Sequence, residues 1–385
     1  MTQHSTVAGS GPAFDQRWSL PQGEPGRILV IVTRRIGDVL LALPLVSSLK
    51  SAWPAARIDM LVFKGTDGVL AGNPLLNEVI AVPPSQSAIQ TLRFARGLWR
   101  RYDLAICTSP SDRPTLYAWL AGRNRIGIMA SGAKHAWKRA LLHAIVPFDD
   151  NNTHTVVQNL WLADLMGLPR RFDMPIGRNI EDERHLGSLF PHAHETRFAV
   201  LHLFPKFAYK MWDSMQWQEL GAWLNRQGIA VVFSGGSDPL ELVYVSALAD
   251  SLSRAGNPRP LNLAGKLNFS QLALLLERAA LYVGPDTVTT HLAAALGAPT
   301  VALFGPSNPV KWGPWPKESE AQVSPYQLRG TQFAGNVALV QGAGHCVPCL
   351  QEGCARHEGS ASACLQMLPA AVVIAAAEKL LSRVT

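Results

Sequence analysis

The segment 281–313 carries the residues best suited to bind a diphosphate. It reads LYVGPDTVTTHLAAALGAPTVALFGPSNPVKWG, in which a strand ends at Gly284 and a helix begins close to Asp286. Unpaired amides and the positive dipole end of such a helix start attract phosphate, and threonine hydroxyls add hydrogen-bond donors. The pattern therefore predicts a metal-free nucleotide-diphosphate site. The residues expected to contact the bound nucleotide are Asp286, Thr287, Val288, Thr289, Thr290 and His291.

The turn after the next apolar run lies at the same predicted sheet edge. Thr300 to Phe304 forms that strand, and Gly305 and Pro306 open the turn that follows it. We expect these two residues to hold the base or ribose of the bound nucleotide. An ordinary capped helix followed by a proline-rich turn is the alternative interpretation of both segments.

A second reactive group follows the first apolar run of the chain. The sequence Arg34-Arg35-Ile36-Gly37-Asp38 comes directly after the predicted strand from Arg27 to Thr33. A carboxylate at a strand end beside a glycine turn is well placed to accept a proton from a bound hydroxyl. We predict Asp38 as the catalytic base and Arg34, Arg35, Gly37 and Arg113 as acceptor contacts; Asp38 also suits a helix-capping role.

Two lysines occur in the sequence FPKFAYKMW, which follows the first predicted strand of the second half. A lysine there can neutralise charge that develops on a leaving diphosphate. We assign this catalytic role to Lys210. Lys206 is a candidate donor contact, although a solvated surface lysine is the favoured interpretation for it.

A further glycine turn, SGGSDPLE, precedes a predicted helix. Gly235 allows a close approach of backbone to ligand, and Glu241 could hydrogen-bond a ribose. Acidic residues also stabilise helix starts without any ligand, so this motif taken alone is a weak indicator of binding.

Four thiols lie close together near the end of the chain. Cys346, Cys349, Cys354 and Cys364 have the spacing C-x2-C-x4-C-x9-C. Four thiolates could enclose a structural zinc ion, but the second tight pair of a zinc ribbon is missing. A metal is therefore the less favoured interpretation of this segment, and Cys107 is expected in the core.

Alternation of strands and helices predicts an α/β protein with two Rossmann-like doubly wound domains. Five short apolar runs between Arg27 and Met129 have the continuous character of buried parallel strands, and five more follow between Phe198 and Phe304. We place a disordered leader at 1–25, an acceptor domain at 26–170, a linker at 171–196 and a donor domain with the cysteine extension at 197–365. A C-terminal helix occupies 366–385, and the two domains are expected to face each other across a cleft lined by strand ends.

Composition and charge limit the partners. The first residues lack the apolar centre of a secretory signal, and no run of eighteen apolar residues occurs, so we expect a cytoplasmic protein. Residues 91–140 hold ten basic and two acidic side chains, a net charge of +8. Such a stretch is either a solubilising face or a surface for an anionic partner.

Several motifs are absent from the sequence. It contains no Asp-x-Asp pair, which favours a mechanism without a metal cofactor. It also lacks a P-loop and a Gly-x-Gly-x-x-Gly turn after a strand, which argues against P-loop kinases and dinucleotide oxidoreductases. No nucleic-acid-binding module is apparent, so a nucleic-acid partner is not expected.

The motifs RRIGDVLLALPLVSSLKSAWPAARIDMLV and GPDTVTTHLAAALGAPTVALFGPSNPVKWGP together resemble glycosyltransferase family 9, the heptosyltransferases of lipopolysaccharide core assembly. The resemblance implies a GT-B fold, an ADP-heptose donor, inversion at the anomeric carbon, and an anionic lipid-linked acceptor at the cytoplasmic face of the inner membrane. It also implies that Asp38 is the base, that Lys210 contacts the diphosphate, and that the C-terminal helix packs on the first domain. Val288 stands where the family commonly has glycine.

Two other functions are compatible with this sequence. One is a transferase of a different nucleotide sugar to a capsule or glycoprotein acceptor. The other is a non-catalytic nucleotide-binding or glycan-binding module, in which Val288 would mark an altered donor site. Binding of ADP-, GDP- and UDP-sugars separates these functions.

Overall fold

The computed structural model describes residues 23–83 and 88–383, so most of the expected leader lies outside the described residues. Contacts divide the described chain into two compact units. The first unit comprises residues 23–67, 75–172 and 320–324, and the second comprises 68–74, 173–319 and 325–383.

The first unit is built on a parallel sheet with the strand order β3-β2-β1-β4-β5-β6. This is the order found in Rossmann folds. The first five strands agree closely with the predicted ones, whereas the sixth was not predicted from the sequence. The strands are β1 (Arg27–Val32), β2 (Arg57–Phe63), β3 (Glu78–Val82), β4 (Tyr102–Cys107), β5 (Gly122–Met129) and β6 (Ala144–Pro147).

Helices connect these strands. They are α1 (Ile36–Leu40), α2 (Leu43–Ala52), α3 (Ala88–Leu98), α4 (Asp112–Ala121), α5 (Ala136–Leu141) and α6 (Thr155–Leu165). Leu29, Ile31, Leu61 and Ala105 of the sheet are fully buried and join one apolar cluster with residues of α4. Covered strands of this kind explain why β1 and β2 are almost continuously apolar in sequence.

The second unit contains a sheet with the order β12-β13-β11-β10-β7-β8-β9, parallel except where β12 pairs with β13. The first five of its strands in chain order match the predicted series, and the pair β12 and β13 adds an edge that was not predicted. The strands are β7 (Phe198–His202), β8 (Ala230–Ser234), β9 (Leu261–Asn262), β10 (Leu281–Pro285), β11 (Thr300–Phe304), β12 (Gln332–Ala334) and β13 (Val337–Gln341).

The helices of the second unit are α7 (Ile180–Leu189), α8 (Ser214–Arg226), α9 (Pro239–Arg254), α10 (Phe269–Arg278), α11 (Val288–Leu296), α12 (Pro309–Trp312), α13 (Ala363–Gln366) and α14 (Ala370–Leu381). Trp212, Trp217 and Trp223 are the largest side chains of its main apolar core. Within the described ranges of the chain, no helix combines the length and the apolar character that crossing a membrane requires.

The C-terminal helix α14 belongs to the second unit, and its expected packing on the first domain stays a prediction. Val373, Ala377 and Leu380 are buried in the core of the second unit, and the helix contacts α8, β11 and β13. The indole N–H of Trp212 donates to the carbonyl of Leu368 at 2.8 Å, just before this helix. Burial of its apolar face on the second sheet therefore fixes α14.

The predicted linker at 171–196 contains a helix. Asn179 caps α7 by accepting from the amide of Asp182, and α7 packs against α10. The Asp182 carboxylate in turn accepts hydrogen bonds from Ser270 and Asn268. The predicted linker segment leads into this helix, which lies in the part of the second unit that runs from residue 173 to residue 319.

Candidate active site

Three adjacent strands of the second unit end at one edge of its sheet. β10 pairs with β7 on one side and with β11 on the other, all in parallel. Since parallel strands present their carboxyl ends together, the segments that follow them meet there. Lys210, Asp286 and Ser307 stand in these three segments.

Lys210 and Asp286 form an ion pair at this edge. The Nζ atom of Lys210 lies 2.5 Å from Oδ2 of Asp286 and 3.1 Å from its carbonyl oxygen. Ser307 donates its hydroxyl to the same Oδ2 atom at 2.7 Å. The carboxylate therefore fixes the position of the lysine ammonium group.

The protonation state of Asp286 follows from its surroundings. Burial alone would raise the pKa of this carboxyl, but the Lys210 charge and the nearby His291 imidazole hold it well below its usual range. The Nε2 atom of His291 lies 3.7 Å from Oδ1 of Asp286. Asp286 is thus an ionised anchor and a poor proton acceptor.

The helix α11 begins immediately beyond this pair. Thr287 is its N-cap residue, and its side chain makes no capping hydrogen bond. First-turn amides without a side-chain cap can bind an anion, and the helix dipole favours negative charge there. Val288 is the first helical residue of α11, and its side chain is half-buried. A β-branched residue can adopt the backbone angles of this position.

Thr290 faces the core rather than the helix start. Its hydroxyl donates to the carbonyl of Pro285 at 2.5 Å and lies 2.9 Å from the Tyr282 hydroxyl. The side chain is fully buried. The predicted phosphate contact by the Thr290 hydroxyl is therefore replaced by a hydrogen bond that joins β10 to α11.

A cavity of about 120 Å³ opens beside α11. Its polar lining includes Thr289, and two further polar residues, His202 and Ser234, lie at the ends of β7 and β8. Leu263, Leu267, Phe269 and Leu272 supply apolar walls, together with Gly235, Gly236 and Asn268. Apolar walls with a few fixed polar groups suit a flat aromatic ring such as a nucleobase.

His202 is neutral at physiological pH. Burial lowers its pKa to about 4, and Nδ1 lies 3.2 Å from the Ser234 hydroxyl. A neutral imidazole offers one donor and one acceptor to its neighbours. The cavity wall at this point is polar but uncharged.

Glu241 supports the glycine turn next to the cavity. Its Oε1 atom accepts the amide of Gly236 at 2.8 Å, and a Cβ atom on Gly235 would lie only 2.5 Å from Oε1. Burial raises the pKa of Glu241. Gly235 lines the cavity, whereas Glu241 shapes the turn behind it.

The predicted pair Gly305 and Pro306 is buried by other protein segments. A Cβ atom on Gly305 would stand 2.8 Å from the side chain of Leu365, and the carbonyl of Pro306 accepts the amide of Leu350. Both residues pack against the C-terminal extension. Ser307, the next residue, carries the contact with Asp286.

Lys206 is not joined to this group. Its side chain is exposed, and Nζ lies 5.7 Å from the ring centroid of Phe207. The two lysines predicted from the sequence therefore have different surroundings in the structure. Lys210 alone pairs with the anchoring carboxylate.

In the first unit, Asp38 is a buried carboxylate at the start of α1. Its Oδ1 atom accepts from Nε of Arg34 at 2.9 Å, and the carboxylate also accepts the backbone amide of Arg35. Burial raises the pKa of Asp38 although both arginines lower it. The residue therefore combines a capping role with the raised basicity that a general base needs.

The other predicted acceptor contacts are also in the first unit. Arg34 pairs with Asp38, Gly37 is half-buried in α1, and Arg35 is exposed beside it. The guanidinium of Arg113 lies 5.4 Å from the ring centroid of Phe63. Arg34, Arg35 and Gly37 are thus close together because they are near neighbours in the sequence, whereas Arg113 lies on α4.

The four clustered cysteines are free thiols. Cys346 and Cys354 are exposed, Cys349 and Cys364 are half-buried, and Cys107 lies in the core as expected. Burial raises the pKa of Cys364 to about 11. Within residues 23–83 and 88–383, no group of three or more His, Cys, Asp or Glu side chains is arranged to hold a metal ion.

Sequence reasoning missed two polar residues of this edge. Ser307 follows the end of β11, and His202 is the last residue of β7. The rule that ligands bind beyond the carboxyl ends of parallel strands would have indicated both residues. Their partners are 21 and 32 positions away in the sequence, so no local pattern marks them.

Two Rossmann-type units, one of which holds a lysine beside an uncapped helix start, are typical of nucleotide-binding α/β proteins. The profile of glycosyltransferase family 9 (heptosyltransferase) matches residues 91–333. The chain belongs to this family and is a glycosyltransferase. The predicted family, fold class and enzyme class are confirmed.

Relatives and solved structures agree with this assignment. The chain is 29% identical over 365 residues to lipopolysaccharide heptosyltransferase 3 of Escherichia coli K12, covering 90% of this chain and 95% of the relative. A family 9 glycosyltransferase from Veillonella parvula superposes with a TM-score of 0.74 at 21% identity, covering 96% and 100% of the two chains. An E. coli heptosyltransferase with ADP gives a TM-score of 0.67 at 21% identity, covering 92% and 99%.

Proposed function

We propose that this enzyme transfers a heptose from ADP-heptose to an inner-core lipopolysaccharide acceptor, with inversion and without a metal cofactor. The observation that carries the proposal is the ion pair between Lys210 and Asp286 beside the uncapped start of α11. It holds the Lys210 ammonium group beside the first-turn amides of α11, where a nucleotide diphosphate would bind. The relatives named as lipopolysaccharide heptosyltransferases support the sugar and the acceptor class.

The donor diphosphate is assigned to the start of α11. First-turn amides would bind phosphate oxygens, and Lys210 would neutralise the charge that grows as the bond to the sugar breaks. Asp286 keeps Lys210 in position without competing for a proton, since its own pKa is depressed. Lys210 and the first-turn amides together would stabilise the charge that a metal ion stabilises in other transferases.

The nucleobase is assigned to the cavity lined by His202, Ser234 and Phe269. Its apolar walls and neutral polar groups suit a purine ring. A related E. coli enzyme is known in complex with ADP, and another of its structures contains a fluorinated ADP-heptose. Both support an adenine nucleotide as the donor.

The two aspartates have opposite tasks in this proposal. The pKa of Asp38 is raised by burial, whereas that of Asp286 is lowered by Lys210 and His291. Groups whose environments move their pKa values apart are suited to different roles. Asp38 is therefore the base, and Asp286 is the fixed anion that positions Lys210.

Transfer would proceed by one displacement. Asp38 accepts the proton of the attacking acceptor hydroxyl, and that oxygen bonds to the anomeric carbon. The bond from this carbon to the diphosphate breaks, so ADP leaves with the bonding electron pair. A single attack from the opposite side inverts the anomeric configuration.

The acceptor is proposed to be a lipid-linked glycan that carries anionic groups. Arg34, Arg35, Gly37 and Arg113 are its proposed contacts in the first unit. Such an acceptor would place the enzyme at the cytoplasmic face of the inner membrane, attached peripherally. The exposed arginines of the first unit support an anionic partner.

A thermal-shift comparison of ADP, GDP and UDP tests the donor assignment. We expect ADP to raise the melting temperature most, because it is the nucleotide of the proposed donor. A ligand at about 100 times its Kd stabilises the native state by about 2.7 kcal/mol. A larger shift with GDP or UDP would reject the adenine nucleotide. No shift with any of them would favour a non-catalytic glycan-binding module.

A further inference from the structure

The helix α3 presents an unusual face to solvent. Ile89 and Leu92 are 74% and 72% exposed, and Trp99, which follows the helix, is 54% exposed. Together with Arg93 and Arg96 they occupy roughly 120° of the helix circumference at 100° per residue.

The opposite side of α3 packs on the first sheet. Leu98 is buried there and Phe94 packs against the same core. The contacts of α3 with the core are therefore made by this opposite side of the helix. The exposed isoleucine, leucine and tryptophan contribute little to the fold and require another explanation.

The exposed face continues onto α4. Leu116 and Trp119 are exposed there, and the rings of Trp99 and Trp119 meet edge to face with centroids 5.9 Å apart. The guanidinium of Arg100 lies 5.5 Å from the Trp99 ring centroid. We call this surface, formed by Ile89, Leu92, Arg93, Arg96, Trp99, Leu116 and Trp119, the outer face.

The charge around the outer face is positive. No acidic residue occurs between Glu78 and Asp103, and Arg93 and Arg96 are both exposed. The acidic residues nearest in sequence have partners, since Asp103 pairs with Arg123 and Asp112 with Lys138.

The basic stretch 91–140 is thus not a uniform basic surface. Arg125 and Lys138 are buried, and Arg125 donates to the carbonyl of Leu141. The arginines of α3 remain exposed between apolar side chains. This arrangement separates the outer face from an ordinary solubilising face, which would lack the isoleucine, leucine and tryptophans.

We propose that the outer face docks on an anionic phospholipid bilayer, with Ile89, Leu92, Trp99 and Trp119 inserted between the headgroups. The inference deepens the proposed function, on whose lipid-linked acceptor it rests. It adds the insertion of named side chains to the peripheral attachment proposed above. The positive charge of Arg93 and Arg96 complements acidic headgroups, and tryptophans favour the membrane interface.

Sedimentation of the full chain with vesicles of phosphatidylglycerol and phosphatidylcholine tests this proposal. The variant I89Q/L92Q is expected to partition at least about tenfold more weakly, because two exposed apolar side chains lose their burial in lipid. The variant R93Q/R96Q is also expected to bind about tenfold more weakly at low salt. High salt should weaken the wild type without abolishing its binding.

The second unit offers matched controls. Leu240 and Val243 are 74% and 70% exposed, so L240Q/V243Q removes equal apolar exposure elsewhere. The variant R226Q/R254Q removes two exposed arginines of the second unit. Both controls are expected to sediment like the wild type.

Transfer to a delipidated, water-soluble acceptor separates this inference from the proposed function. I89Q/L92Q should retain that transfer while losing vesicle binding; wild-type-like sedimentation of I89Q/L92Q would overturn the docking face. Absent transfer by the wild type would reject the proposed function, while sedimentation would still decide the docking. If ultracentrifugation shows a wild-type dimer that I89Q/L92Q converts to monomer without changing vesicle binding, a second copy occupies the face instead.

Discussion

Replacement of Asp38 by asparagine is expected to lower heptosyl transfer by at least about 10²-fold to 10⁴-fold, the usual contribution of a general base. The amide oxygen of asparagine can still accept the backbone amide of Arg35, so the fold and ADP binding should persist. In the wild type, kcat/KM should fall as the pH drops through the raised pKa of Asp38, because the protonated carboxyl cannot accept a proton. Steady-state transfer assays between mildly acidic and neutral pH measure both effects.

The matched control is Asp103→Asn. Asp103 also accepts one arginine, Arg123 at 3.0 Å, and one backbone amide, that of Arg27 at 2.9 Å. It stands at the beginning of β4 and therefore at the opposite edge of the first sheet from Asp38. Asp103→Asn should transfer heptose normally; near wild-type turnover by Asp38→Asn would reject Asp38 as the base.

Replacement of Lys210 by methionine is expected to damage both stability and catalysis. Only 15% of its side chain and 9% of that of Asp286 are exposed, so the variant would leave a buried carboxylate without its cation. Such a loss destabilises proteins by about 3–5 kcal/mol. Loss of positive charge at the departing diphosphate should reduce kcat by about 10²-fold to 10³-fold. Chemical denaturation and transfer assays measure the two effects.

A second substitution separates those effects. Adding Asp286→Asn to the Lys210→Met variant removes the unpaired charge, so part of the stability should return while transfer stays low. The exposed Lys206 provides the control, and Lys206→Met should change neither quantity greatly. Full recovery of transfer in the double variant would contradict the role of Lys210.

The stability contributed by the ion pair also has a defined pH dependence. The pKa of Asp286 is depressed in the folded protein, so this contribution is complete above the ordinary aspartate pKa. It is lost progressively as the pH falls from that value towards the depressed pKa. The Lys210→Met variant should lack this part of the acid sensitivity.

Most interior strands were predictable because burial on both faces demands continuous apolar runs, although the buried run of β13 was not recognised. β1 and β10 show this directly, since almost all their residues are buried. The edge strands β6 and β12 were not predicted, because their short sequences carry little pattern. Helix α7 escaped prediction because only Asp182 and Leu186 are buried, which leaves little apolar periodicity in its sequence.

The site was predictable where adjacent residues carry the signal. Asp38 beside a glycine and Asp286 before a helix are local patterns, and so is the lysine after a strand. Contacts that depend on strand order were not predictable from local sequence. Ser307 reaches Asp286 only because β11 lies next to β10, and Thr290 was misassigned because its direction depends on packing against Tyr282.

Incubation of the purified protein with ADP-heptose and a delipidated inner-core oligosaccharide tests the central claim most directly. The products are analysed by mass spectrometry and by nuclear magnetic resonance of the new anomeric centre, with and without EDTA. We predict one added heptose with inverted configuration, equimolar ADP, and equal rates in both conditions. Retained configuration, or no heptosylated product while ADP binds, would contradict the account.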